Sequence, residues 1–244
     1  AWGHDLRHPS GQAGLIITDE ATLCDLARDA AAAGFPLVIH AIGDAACHTA
    51  VSALEATRDA WAQLRAMPRI EHAQLMRRDD IARCAQLGIA LSVQPTHMVA
   101  DRDHAEAAWG DRLDDAYAWR AMVDAGCSVL LGSDAPIEAL NPLAALHVAT
   151  ARDGGAHGLE AARGAWHPSQ AMDADSALRA STSWVADASG MGSTVGRLSP
   201  GRAADLVVLS GDPTTTPWAD IDVVATMVEG RWTHGAAHLA QVHR

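Results

Sequence analysis

Three short stretches end apolar runs on side chains that can bind a metal or move a proton: LVIHAIGD around His40, RIEHAQ around His72 and VLLGSDAP around Asp134. In a parallel α/β protein the C-terminal ends of neighbouring strands lie together on one face, so residues distant in sequence converge there. Two imidazoles and a carboxylate delivered in this way are the parts of a hydrolytic metal centre. Neutral imidazoles hold Zn²⁺ at roughly 2.0–2.1 Å and leave a coordination position for water. The ion lowers the pKa of that water toward about 7 and polarises a substrate carbonyl. A carboxylate such as Asp134 binds the ion, takes the proton and returns it to the leaving nitrogen or oxygen. The result is carbonyl hydrolysis without a covalent intermediate.

Each residue also has a plainer reading. A lone histidine at a strand tip is commonly a hydrogen-bonded core residue; two at equivalent tips, followed by Asp134, favour a site. Gln94 and His97 follow another strand, and with Asp44 they are the candidates for contact with substrate. His97 and His104 share the long loop after that strand, where each either faces substrate or is a solvated loop histidine, and Asp44 doubles as a helix-start carboxylate. The pairs His4/His8 and His234/His238 have i, i+4 spacing but lie near the chain ends without a firm helix. There is no GxSxG elbow, dinucleotide GxGxxG or Walker A sequence.

Composition narrows the chemistry further. All 18 basic side chains are arginine, which removes lysine Schiff bases, a P-loop lysine and a carboxylated lysine bridge. A net charge of −12 argues against nucleic acid or an anionic membrane as the main partner. The cysteines Cys24, Cys47, Cys84 and Cys127 form no CxxC pair and read as small buried residues in a reducing, cytoplasmic setting. No apolar run reaches the eighteen or so residues of a membrane span. No signal peptide is visible, although the chain opens with Ala1.

The elements that must position these residues follow from periodicity and turn chemistry. A helix capped at Thr18 or Asp19 runs to about Ala33, with Gly34 closing it. Strand 37–42 precedes a helix over about 45–65. Strand 69–73 precedes a helix capped near Asp79 and closed by Gly88. Strand 89–94 leads into a long loop and then a helix over about 114–125, and strand 127–132 is followed by a helix starting near Asn141. This alternation predicts βαβ units and a parallel sheet, with continuous apolar strands covered on both faces. A helical stretch lies near 174–188. From about Gly196 the pattern changes to strands Leu206–Leu209 and Val223–Val228, separated by turn residues. The expected division is therefore 1–195 and 196–244. Four βα units are half of what a closed eight-stranded barrel needs, leaving a half-barrel or a small open sheet.

Several motifs occur together in a recognisable order: HAIGD, RIEHAQ, Val93-Gln94-Pro95, GSDAP, NPL at 141–143, SALRAST at 176–182, and GRLSPGRAADLVVL leading to VEGRW. In these the chain, from about Ala13 to Trp232, resembles the amidohydrolase superfamily and its amidohydrolase 3, YtcJ-like group. The resemblance implies a distorted (β/α)8 TIM-type barrel beside a small β-sandwich, of which this chain carries strands 5–8 and the C-terminal sandwich strands. It implies that His40 and His72 are metal ligands from strands 5 and 6. Asp134 becomes the strand-8 ligand and proton shuttle. The activity implied is hydrolysis of C–N, amide-type bonds in small molecules, with one or two divalent metals, most often Zn²⁺, in the complete protein. The family's strand-1 His-x-His motif and strand-4 lysine have no counterpart in the sequence, and Ala45 stands where relatives often have arginine. The chain is thus expected to begin after strand 4 and to be inactive alone. The alternative is a truncated or degenerate barrel serving as a non-catalytic interaction module.

Overall fold

Asp19 opens the first helix, its carboxylate accepting a hydrogen bond from the Thr22 amide at 2.8 Å. In the computed structural model, which describes residues 16–155 and 163–235, α1 then runs Glu20–Ala32 and the chain turns at Gly34, φ 86°. His4, His8 and His238 lie outside the described residues. The strand-to-helix alternation follows as β1 Val38–Ala41, α2 Asp44–Ala56, α3 Arg58–Trp61, β2 Arg69–His72, α4 Arg78–Leu87 and β3 Ala90–Val93. After β3 come α5 Pro95–Trp109, α6 Trp119–Asp124, β4 Val129–Leu131, α7 Pro142–Ala151, α8 Ala174–Ala180 and α9 Ser183–Ala188. The chain finishes with β5 Leu206–Leu209, β6 Val223–Val228 and β7 Arg231–His234.

The first four strands pair in parallel in the order β1-β2-β3-β4, as part of a barrel-type sheet. Register aligns Ile39, Ile70, Leu91 and Val129 across the sheet. All four are buried in one core with Val51 and Leu54 of α2, Ile81 of α4 and Met122 of α6. Complete burial of each such side chain contributes about 1.5–3 kcal/mol. One register step on, His40, Glu71 and Ser92 share the opposite face, which is only partly covered near β1 and β2. The apolar face against the helices therefore fixes the register, and the other face carries polar side chains.

Five elements depart from the sequence expectation, the helix over about 114–125 being confined to α6 Trp119–Asp124 after a 3-10 turn over Gly110–Asp115. The helix over 45–65 breaks at Thr57, whose hydroxyl donates to the Ala53 carbonyl at 2.8 Å while the Trp61 indole donates to Leu54. Back-bonding of this kind bends or ends a helix. The long loop after β3 is instead α5, fifteen residues with Pro95 in its first turn, where a missing N–H costs nothing. The helix over 174–188 divides into α8 and α9 at Thr182, φ −135° and ψ −87°. A third strand, β7, joins β5 and β6 in an antiparallel sheet.

Candidate metal centre

Strand alternation places His72 on the same face as Ile70, toward the helices. The backbone overrides this: His72 and Ala73 have φ of 75° and 44°, unusual for residues with a Cβ. The left-handed turn brings the His72 ring against that of His40, edge to face with centroids 4.4 Å apart. On its other side His72 stacks with His97, centroids 5.7 Å apart and planes within 13°. His97 comes from the first turn of α5, so the helix mistaken for a loop is the element that aims it. Asp134 follows β4 at another left-handed residue, φ 56°. Held strain of this sort, about 1–3 kcal/mol per residue, clusters at functional sites.

One ligand-capable atom from each of His72, His97 and Asp134 lies within 4.8 Å of the others. His97 Nε2 is 3.8 Å from Asp134 Oδ2. His72 and His97 are buried, and His72 Nδ1, His97 Nε2 and the neighbouring Gln94 Oε1 have no hydrogen-bond partner. A buried polar atom left unpaired costs about 1–3 kcal/mol. Two imidazole nitrogens and a carboxylate with that unmet demand fit a divalent cation.

Burial favours the neutral form of His72 and His40. Burial lowers the pKa of His72, against the upward pull of Asp134 and Glu71, and His97 lowers it further. Burial also lowers that of His40, and the His72 ring beside it acts in the same direction. Glu71 accepts a hydrogen bond from Arg69 at 2.5 Å and one from Gln94 Nε2 at 3.4 Å, which anchors the Gln94 amide beside the site.

The sequence candidates fall into three positions. His72 and Asp134 converge, joined by His97; His40 adjoins His72 outside the three-atom cluster; Gln94 lines the same strand tips. Asp44 is engaged elsewhere, paired with Arg112 at 2.8 Å and accepting from the Ala45 amide at 3.0 Å. Sequence reasoning did not single out Thr96 or Arg152. Arg152 has no motif around it, and Thr96 follows the Val93-Gln94-Pro95 motif, which marks the segment as ordered without signalling that the hydroxyl is buried.

Known proteins share both the sequence and this architecture. The Arabidopsis thaliana protein LONG AFTER FAR-RED 3 is 32% identical over 228 residues, covering 89% of this chain and 37% of its own length. An N-substituted formamide deformylase from Arthrobacter pascens is 32% identical over 211 residues, covering 84% of this chain and 38% of its own. A solved structure of an uncharacterized metal-dependent hydrolase from Pyrococcus horikoshii OT3 superposes with a TM-score of 0.75 at 26% identity, over 89% of this chain and 42% of that one. The chain thus spans about two fifths of the length of these relatives. Among the described residues no helix is long and apolar enough to cross a membrane. The family model for amidohydrolases (Amidohydro_3) matches residues 3–234, and with the ordered motifs and the parallel sheet that carries them, the chain belongs to the amidohydrolase family.

Proposed function

We propose that this chain supplies part of the active site of a metal-dependent hydrolase that cleaves C–N, amide-type bonds in small molecules. The observation that carries the reading is the convergence of His72, His97 and Asp134 with two buried imidazole nitrogens left unpartnered. The similarity to a formamide deformylase supports a C–N bond as the target. His72 and Asp134 hold the cation, and His40 and His97 flank His72 as the further ligands. A divalent ion there, zinc being the first to test, supplies an acidified water and a polarised carbonyl at neutral pH.

The chain's own residues do the rest. The neutral His72 and His40 rings, favoured by burial, each present one lone-pair nitrogen that can bind a cation while the other nitrogen keeps its N–H. Asp134, on a partly exposed turn, reaches both the cluster and solvent, so its carboxylate takes the proton of the attacking water at Oδ and delivers it to the leaving nitrogen. Gln94 and His97 border the space where the carbonyl would sit. Asp44, tied to Arg112, orients the turn after β1.

No lysine and no His-x-His motif occur in the sequence, so these residues offer too few ligands for the two-metal site that the family resemblance implies. The test is metal titration of metal-free protein, for this chain and for a longer form carrying an upstream His-x-His and lysine. Weak binding by the chain, tight binding and amide hydrolysis by the longer form, and loss of both in His72→Ala are expected. Unchanged metal content in His72→Ala, or amide turnover by the 244-residue chain at the full rate of the longer form, overturns the assignment.

A further inference from the structure

Asp101 stands one turn after His97 on the same face of α5, about 6 Å further along the helix axis. Its Oδ2 accepts from Gln74 Nε2 at 3.3 Å and from the Tyr117 hydroxyl at 3.4 Å. Both donors are neutral: one is an amide, and burial together with the Asp101 charge holds the Tyr117 pKa well above its usual value. Among the described residues no arginine or histidine pairs with Asp101, and its Oδ1 makes no hydrogen bond. Other carboxylates of the chain are matched: Asp44 by Arg112, Asp80 by Arg83 and His48, Asp153 by His147. Asp101 is only half-buried, and Oδ1 is neither bonded nor sealed from solvent, so that oxygen is open to a ligand.

Asp101 lines a cavity of about 320 Å³ with Ile42, Gln74, His104, Ala105 and Trp109. Ile42 lies two residues past His40 and Gln74 two past His72, so the cavity opens beside the strand tips that carry those histidines. Its wall is largely apolar, from Ile42, Ala105 and Trp109, with a few polar groups, which is the composition of a small-molecule site. A carboxylate without a counter-charge, set in such a wall, is matched by a cation that brings its own aliphatic arm. An indole on the wall favours the same charge. The group of metal-capable side chains is His72, His97 and Asp134 and does not extend to Asp101, and one carboxylate supplies too few oxygens to hold a metal ion. An organic cation is the better match.

We infer that Asp101 forms a subsite for an organic monocation, so that the substrate is an amide whose aliphatic arm ends in an ammonium group, of the N-acyl diamine class. The arm runs along α5 from His97 toward Asp101, and its charge fixes which way round the amide meets His72, His97 and Asp134. The substrate class rests on the hydrolase reading above, whereas the cation subsite stands without it.

Binding is therefore tested on the metal-free 244-residue chain, followed by the NMR shifts of its amides. The probes are N-acetylputrescine and N-pentylacetamide, which has a methyl group in place of the ammonium. The ammonium probe is expected to bind about tenfold or more tightly, the scale of one charge-assisted hydrogen bond, with shifts centred on Gln74, Asp101 and Ala105. Asp101→Asn keeps an acceptor for Gln74 and Tyr117, removes the charge and should abolish the preference. Asp103→Asn changes the net charge equally at an exposed position paired with Arg163, and should leave the preference intact. Equal binding of the two probes by the folded wild-type chain, or binding of neither, overturns the subsite. So do shifts centred elsewhere, or an equal loss in Asp103→Asn, which would reduce the preference to the overall charge of −12. Should Asp101→Asn fail to fold, the wild-type preference, the location of the shifts and the Asp103 variant still decide. Because metal is absent, failure of the hydrolase reading leaves these outcomes unchanged.

Discussion

Two sets of histidines in this molecule meet opposite fates. In the helix layer, His48 Nδ1 faces both carboxylate oxygens of buried Asp80 at 3.0 Å, and Arg83 donates to the same carboxylate at 2.7 Å. Similarly His147 Nε2 meets Asp153 at 2.7 Å. At the strand tips, buried His72 and His97 each keep a nitrogen without a partner, and their nearest carboxylate, Asp134, stops 3.8 Å from His97. A histidine already bonded to a carboxylate joins α2 to α4 and needs nothing more. Histidines gathered without partners leave a demand that a ligand can meet. The difference separates histidines whose hydrogen bonds are met from histidines whose demand stays open within one chain.

The sharpest way to break this comparison is at Asp134. In the longer, metal-loaded protein, Asp134→Asn should lower kcat by about 10²–10⁴-fold, the usual scale of a lost general acid–base group. Steady-state kinetics on an amide substrate would show it, and a near-normal kcat would return Asp134 to a surface turn. Next, His72→Ala should weaken metal affinity by about tenfold or more, and the stability it loses should come from the packing of its ring against His40 and His97 rather than from a bond at Nδ1. His48→Ala should do the reverse, costing about 0.5–1.5 kcal/mol, because Asp80 loses one partner and keeps Arg83, and leaving metal affinity intact. Paired metal titrations and urea melts on the two variants measure the contrast directly.

A smaller effect concerns pH. The folded-state pKa values of His40 and His72 lie below the unfolded value of 6.5, both mainly through burial. Below 6.5 the unfolded chain binds more protons at these positions, so their contribution to stability is complete above that pH and is lost as pH falls through the lowered values. Urea midpoints of metal-free protein should fall between pH 7 and 5, and less so in a His40→Gln/His72→Gln double variant. The smallest change expected is Asp173→Ala, which removes the cap that accepts from the Ser176 amide at 2.8 Å and costs about 1 kcal/mol with no effect on metal. Its thermal melt is the measurement.

Much of the framework was legible because local rules sufficed. Asp19 and Asn141 cap helices as their side chains require, and Gly88 and Gly126 take the positive φ that ends α4 and α6. The apolar runs fell on strands, and β5 and β6 matched their expected limits. The helix α5 escaped because its buried residues cluster at its two ends, Thr96 to Met98 and Ala105 to Trp109, rather than along one stripe, so no helical period stands out. The break at Thr57 depended on a hydroxyl choosing the backbone and on Trp61 folding back, which composition does not reveal.

By itself the sequence determined the strand tips, the ordered motifs and therefore the family: these depend on residue type, spacing and turn chemistry, all local properties. Tertiary structure alone decided which side chains meet. The left-handed turns at His72 and Asp134 and the placement of α5 bring His97 into the cluster, and packing of α7 against the segments at Tyr117 and Trp166 buries Arg152 without a counter-charge. An unmet hydrogen bond exists only once burial has removed water, and burial is a property of the folded chain.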